Sequence, residues 1–350
     1  MPVFNDAACA RRTDAGIWPT DMHARIIAGP LALLTSVATP TRVPMVRASA
    51  EAVELVRHDT SVDVVIGGRP FTTYYFDPAI AKPFLHPLRS AAGTVVTRGF
   101  PIARDIAGED RDEPHQRPMY FAHGDINGFD FWGEAAFPRW SHHPSSTFGQ
   151  TVVRSLDEAT GGVDSGTLRA TFDLAAPAGV LGREIQQYRF SGDEHSRVID
   201  CYFTILATDG ALVLGDTKEG TFAIRVVKAL HSPPGHMLNA DGARGEKGIW
   251  GKRSEWVDYY GRVNGEDVGV AILDHPQNLR APSYWHARAY GLLAANPFGV
   301  TYFTHNRRQS GAYTVPAGGS LMLRYRVVIH QGDPLQADVR DEYRRFAEEK

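Results

Sequence analysis

From Glu51 onward the dominant repeat in this chain is two residues rather than the 3.6 of a helix, which restricts it to strands with one buried face. Ser320 to His330 shows this best: Leu321, Leu323, Tyr325, Val327 and Ile329 share one side, with Arg324 and Arg326 on the other. Val198 to Leu206 repeats it with Ile199, Cys201, Phe203 and Ile205. Thr167–Phe172, Phe222–Val227 and Val268–Leu273 add runs rich in β-branched and aromatic residues. Gly67-Gly68 and Asn264-Gly265 separate such runs, Asp209-Gly210 follows one, and these dipeptides supply the positive φ of tight hairpins. One helix is expected, closing the chain, where Leu335, Val339, Tyr343 and Phe346 fall at helical spacing. On the order of fifteen strands, with no βαβ alternation and no fixed repeat, predict an all-β chain. The expected architecture is one large antiparallel β-sandwich over residues 51–350, with long loops over one face and a C-terminal helix.

The first fifty residues differ. Met22-His-Ala-Arg25 gives a short basic start, Ile26 to Ala38 is an uncharged, mostly apolar run, and Ala48-Ser49-Ala50 fits a small-residue cleavage site. That order predicts a secretory signal, with Met22 as its start, or else an N-terminal extension. The expected destination is secreted or periplasmic, with a cytoplasmic location as the alternative. The apolar run is too short for a membrane span, and no other stretch approaches the roughly 20 residues needed. A net charge of −3 gives no basic footprint for nucleic acid. Of two cysteines, Cys9 lies in the leader, so Cys201 is expected to be a small core residue without a disulfide.

Two segments are denser in polar chemistry than a fold requires. Asp112 to Trp132 carries His115, Arg117, His123, Asp125, Asn127 and Asp130 among glycines and prolines. Asp274 to Phe298 carries Asp274, His275, Asn278, Trp285, His286, Arg288, Tyr290 and Asn296. Such mixtures read as irregular loops on a rigid scaffold, where binding and catalytic groups concentrate. In the second, His286, Arg288 and Tyr290 alternate and so share one face of an extended segment, as expected for a strand lining a wet cleft. Between the two lie Lys218-Glu219, a surface pair or a base with its partner, and Trp250, either edge packing or a stacking platform. The bland readings are turn-capping by Asp125 and Asn127 and a solvated sheet edge at 284–290.

No Gly-x-Ser-x-Gly elbow, Walker loop, dinucleotide fingerprint or His-Glu-x-x-His helix occurs. His142-His143 is a poor chelate, because neighbours on a strand point apart. A metal held by His115, His123, His275 and His286 has no diagnostic spacing, and neither metal nor cofactor is expected.

Lys82-Pro-Phe-Leu-His-Pro-Leu88, the run from Asp112, His123-Gly-Asp-Ile-Asn-Gly-Phe-Asp-Phe-Trp132 and Asn296-Pro-Phe298 together resemble the bacterial family DUF6807, over roughly residues 55–332. The family pattern has Asp-His-Pro-His-His-Arg-Gly where this chain has Asp112-Glu-Pro-His-Gln-Arg-Pro118, so Glu113 and Gln116 replace two histidines. Members are often labelled "methane oxygenase PmoA", a label that implies an integral membrane enzyme and conflicts with the lack of any spanning segment here. The resemblance implies a β-sandwich similar to sugar-binding supersandwich folds.

The leading expectation is a carbohydrate-active enzyme acting on a glycoside or modified sugar by hydrolysis, elimination or epimerisation. The expected catalytic groups are His123, Glu219, His286, Asp125 and Asp274, since imidazole and carboxylate serve as general acid and base. His115, Arg117, Asn127, Lys218, Trp250, His275, Asn278, Trp285, Arg288, Tyr290 and Asn296 are expected to bind substrate, with Arg117 and Arg288 holding any anionic group. A non-catalytic carbohydrate-binding protein and a metal-dependent oxidase or hydrolase are the alternatives. The expected partner is a small carbohydrate, and the sequence sets no oligomeric state.

Overall fold

The structure, a computed structural model, describes residues 49–137 and 147–349. The expected export signal (save its last two residues), Cys9 and His142-His143 lie outside the described residues. In chain order the first strands are β1 (Val53–Arg57), β2 (Ser61–Ile66), β3 (Arg69–Tyr75), β4 (Phe84–His86), β5 (Met119–His123), β6 (Phe129–Asp130) and β7 (Thr147–Phe148). Next come β8 (Gln150–Thr160), β9 (Gly166–Ala176), β10 (Gly179–Gly192), β11 (Ser196–Leu206), β12 (Leu212–Leu214), β13 (Gly220–Arg225) and β14 (His236–Asn239). Helix α1 (Gly245–Ile249) precedes β15 (Trp256–Val263), β16 (Glu266–Asp274), β17 (Tyr284–Ala287) and β18 (Leu292–Asn296). Helix α2 (Val300–Thr304), β19 (Tyr313–Val315), β20 (Ser320–Gln331) and α3 (Val339–Glu348) complete the described chain.

Two eight-stranded antiparallel sheets dominate, ordered β1-β2-β3-β4-β5-β13-β18-β17 and β14-β15-β16-β20-β11-β10-β9-β8. Their facing sides share one apolar interior. Across it Phe121 stacks on Phe203 with ring centroids 4.2 Å apart, and Phe222 on Tyr325 at 4.9 Å. The period-two runs are therefore the inner faces of a sandwich, and Cys201 is buried among them. Gly67-Gly68 and Asn264-Gly265 turn the β2–β3 and β15–β16 hairpins with positive φ, as their sequence requires.

Each outer face is also partly covered. On the second sheet, Leu238, Trp256, Ala271, Leu273 and Val328 pack against Val339 and Phe346 of α3. That helix begins later than the heptad-like spacing predicts: Leu335 lies before it and is 74% exposed, so it anchors nothing. On the first sheet, Phe84, Tyr120, Ala122, Ala223, Leu292 and Ala294 form a smaller cluster with Trp132, roofed in part by Ile80, Ile102 and Tyr290. Among the described residues no helix is long and apolar enough to cross a membrane.

Candidate functional site

Strand alternation decides what this smaller cluster can do. In β5, Phe121 faces the interior, so Tyr120 and Ala122 face outward; in β13 the same rule sends Phe222 in and Thr221, Ala223 and Arg225 out. Register then lines up one row across the sheet. Phe84 lies opposite Tyr120, Tyr120 opposite Ala223, Ala223 opposite Ala294, and Ala294 opposite His286. Two methyl groups thus form a low bed between a phenol and an imidazole whose backbones stand about 14 Å apart, three strand spacings.

His286 is held in one tautomer. Its Nδ1 lies 3.0 Å from the Lys218 carbonyl, which can only accept, so Nδ1 carries the hydrogen and Nε2 the lone pair. That Nε2 is buried and no described group hydrogen-bonds it. Burial pulls the imidazole down to about 4, against the opposing charge of Glu219 and with help from Lys218 and Arg288, so the ring is neutral at pH 7. Tyr120 stands at the other end, fully buried, its hydroxyl also without a partner among the described residues. Burial, then the Glu219 charge, push its phenol well above the usual value and keep it a donor. Glu219, just before β13, is buried and ion-paired with Lys218. Its charge reaches both His286 and Tyr120. Trp132 Nε1 and Thr221 Oγ1 add to this outer face two more buried polar atoms without a partner among the described residues.

The surrounding charges are tied to one another. Arg117 makes a two-pronged contact with Glu134, which also takes Lys82 at 3.2 Å, and the Lys82 ammonium sits 5.4 Å from the Tyr120 ring centre. Arg288 pairs with Glu246 at 3.0 Å. Arg225 and Arg98 share Asp112 at 3.0 Å each, and Arg225 also grips Gln116, which fixes the 112–117 loop against the sheet. Tyr290 lies between two guanidinium groups, 4.4 Å from Arg225 and 5.5 Å from Arg288, with Gln116 Nε2 3.4 Å from its hydroxyl. His115 is buried, its ring 3.6 Å from a Glu113 carboxylate oxygen.

Of the residues expected from the sequence, this face gathers His115, Arg117, Lys218, Glu219, His286, Arg288 and Tyr290. The remainder lie elsewhere. His123 shares the inward side with Phe121; its Nε2 meets the Gly215 carbonyl at 2.9 Å and its ring packs 4.8 Å from Phe298. Asp125 and Asn127 stitch a turn: Asp125 accepts from Gly128 at 2.8 Å, and Asn127 accepts from Val213 at 2.7 Å. Asn296 donates to the Thr217 carbonyl at 2.9 Å and accepts from Phe298 at 2.8 Å. Asp274 ends β16 in the other sheet, fully buried, accepting from Asn278 at 2.6 Å and Ser283 at 2.5 Å; burial raises its carboxyl to about 6. His275 there lies 3.1 Å from the Glu349 carbonyl. Trp285 is a core residue donating to Ser254 at 2.9 Å, because it alternates with His286 and takes the opposite face. Trp250 stands beside the β17 edge, its ring 5.6 Å from Phe303. The four-histidine chelate does not form: His123 and His286 take opposite sides of one sheet, and His275 belongs to the other. Among the described residues no three His, Cys, Asp or Glu groups are placed to hold a metal ion.

Sequence reading missed Tyr120, Trp132, Thr221, Glu134, Arg225 and Glu246 as members of this face. For Tyr120 a signal existed. Taking Phe121 as core in Met119–His123 places His123 inward with it and Tyr120 outward.

A family model described as a family of unknown function (DUF6807) matches residues 61–344. No curated protein matches. Among solved structures, a galactose mutarotase-like protein from Clostridium acetobutylicum aligns at TM-score 0.38 and 10% identity, over 81% of this chain and 99% of that one. An alpha-galactosidase from Lactobacillus brevis aligns at TM-score 0.38 and 8% identity, over 81% of this chain and 40% of that one.

Proposed function

Because this chain belongs to DUF6807, a family of unknown function, membership supplies no activity, and we propose one from the site itself: proton-transfer chemistry on a sugar bound on the outer face of the first sheet. The observation that carries it is the pairing of His286 and Tyr120, a buried lone pair and a buried hydroxyl without partners among the described residues at the two ends of an alanine bed, with Glu219 acting on both. Buried polar groups without partners are costly in a fold and are expected where a ligand supplies the partner.

The chemistry follows from those roles. His286 Nε2 takes a proton from a carbon beside a carbonyl or from a ring hydroxyl, and Glu219 stabilises the imidazolium that forms. Tyr120 donates to the substrate oxygen on which negative charge grows. In an elimination the electron pair left on carbon forms a double bond as the neighbouring C–O bond breaks, and the imidazolium proton passes to the departing oxygen. Two-carboxylate hydrolysis fits less well, because two of the three carboxylates expected to serve it, Asp125 and Asp274, are committed to other hydrogen bonds. Arg117 and Arg288 are committed to Glu134 and Glu246, which favours a neutral ring over the bed rather than an anionic one.

The test is turnover of the full chain on reducing sugars, glycosides and keto-sugars, followed by NMR. His286→Ala should lower kcat about 10²–10⁴-fold, the range for a general base, with Glu219→Gln and Tyr120→Phe each showing smaller losses. Wild-type rates in His286→Ala would sink the proposal. Sugar binding without turnover in the wild type would leave the non-catalytic carbohydrate-binding protein as the better reading.

A further inference from the structure

The bed does not end at His286. Beyond it, at the edge of β17 that residues 251–253 border through backbone hydrogen bonds to Trp285, the Phe303 ring lies 6.4 Å from His286, stacks on Tyr284 at 5.5 Å and meets Trp250 edge-on at 5.6 Å; His305, which follows α2, lies 6.0 Å from Trp250. Trp250 and Tyr284 are only partly buried, and Trp250 Nε1 has no protein partner among the described residues. Partly exposed aromatic faces with a polar handle suit a sugar ring, which offers apolar C–H groups on one face and hydroxyls at its rim.

Around these rings the charge is one-sided. Lys247, Lys252, Arg307 and Arg308 are exposed, and none is ion-paired to a carboxylate among the described residues. The run His305-Asn-Arg-Arg-Gln-Ser-Gly311 contains no acid. Arg253, by contrast, is fixed to the carbonyls of Arg280, Ala281 and Pro282 and serves as support beneath Tyr284. The neighbouring acids are engaged: Glu246 by Arg288, and Asp216 by Thr301 and Gly311. The reaction bed is charge-paired, and the rim beside it carries free cations.

We infer that the site continues past the β17 edge into a second subsite, walled by Trp250, Tyr284 and Phe303 and rimmed by Lys252, Arg307 and Arg308, which takes an acidic sugar unit. The ligand is then an acidic oligosaccharide, with a neutral ring over the alanine bed and a carboxylated or sulfated unit beside it. This rests on the sugar reading given above and extends it to chain length and charge.

Calorimetric binding to the full chain decides it, with mixed trimers that carry one glucuronate, galacturonate or sulfated unit beside neutral units set against the matching all-neutral trimers. At low salt at least one acidic trimer should bind about 10-fold tighter than its neutral counterpart, and roughly 0.5 M NaCl should close the gap by screening. The exposed double variant Arg307→Ser/Arg308→Ser should lose most of that preference while keeping the wild-type melting temperature. Trp250→Ala should weaken both classes of trimer, with Trp250→Phe as the variant that keeps the packing. Equal affinity for acidic and neutral trimers, an unchanged preference in the double variant, or no binding of any trimer would each overturn the subsite. The same trimers with His286→Ala separate the two ideas, because loss of the proton-transfer reading shows in turnover and loss of the subsite shows in this charge preference.

Discussion

The two outer faces of the sandwich bury charge in opposite ways. On the second sheet, Arg326 is held by Asp200 at 2.5 Å, Glu342 at 2.8 Å and Glu349 at 2.6 Å, with Phe346 4.8 Å from the guanidinium. One cation thus pins α3 and the chain end to the sheet. Further along the same strand, His330 pairs with the buried Asp258 at 2.8 Å. The first sheet keeps its charges paired but leaves His286 Nε2 and Tyr120 Oη with no partner among the described residues. A closed ionic cluster fixes an element in place, whereas an open lone pair and an open hydroxyl cost stability and are retained where they act on something else. Buried charge is therefore a poor guide to function. Incomplete hydrogen bonds occur on the second face too, at Trp256 Nε1 and Asp258 Oδ1, and the first face differs in setting its open lone pair and hydroxyl at the ends of one row.

The comparison breaks or holds on paired variants. His286→Ala should abolish most turnover and cost only about 1 kcal/mol of stability, the worth of its one hydrogen bond. Arg326→Ala should do the reverse, losing about 3–5 kcal/mol in urea unfolding because Asp200 is left buried and unpaired, with kcat of the folded protein unchanged. If Arg326→Ala impairs catalysis and His286→Ala does not, the assignment of the two faces is inverted.

A middle case sharpens it. Glu184 lies in the sandwich interior, accepting from Gln186 at 2.6 Å, and burial raises its carboxyl from 4.5 to about 7. Between those values the unfolded chain releases a proton that the folded chain keeps, so stability falls as pH rises and levels off above 7. Glu184→Gln should be more stable than wild type by about 1–3 kcal/mol at pH 8 and equal to it near pH 4. Chemical denaturation across that range checks the sign, and a wild-type curve flat in this window counts against it.

The smallest effect belongs to His330, whose value is raised above 6.5 by Asp258 despite burial. Its stabilising contribution is full below 6.5 and lost as pH rises through the folded-state value. Asp258→Asn should therefore cost about 1 kcal/mol below pH 6.5 and progressively less above it. A penalty that grows with pH would contradict the pairing.

Much of the scaffold was legible because it is local. Alternation in Ser320–His330 marked β20, glycine dipeptides marked two hairpins, and helical spacing marked α3 apart from the exposed Leu335. The alternation of His286, Arg288 and Tyr290 predicts one shared face of an extended segment, but β17 ends at Ala287 and Arg288 to Gly291 is a turn, so only His286 owes its outward side to strand parity. What local pattern could not give is register. Nothing near Tyr120 in the sequence says that it will share a row with His286, because β13 and β18 intervene and their alanines supply the bed. His123 and Trp285 drew attention as polar or aromatic residues in dense segments, yet parity sends both inward. Both dense segments read as irregular loops from their composition, yet β5 and β6 run through the first and β17 and β18 through the second, and strand pairing sorts their side chains by face.

That dependence on pairing carries over to how the protein is made. Tyr120 lies opposite Ala223, roughly a hundred positions further along the chain, and closing so long a loop costs entropy before any contact rewards it. The row from Phe84 to His286 cannot exist in any fragment that lacks β13, β17 or β18. In refolding, hairpins such as β2–β3 can form early, whereas the row that holds the bed must wait for the central strands to meet. Recovery of the proposed activity should thus be a clock for the last long-range pairings of the first sheet, slower than any signal that reports strand content alone.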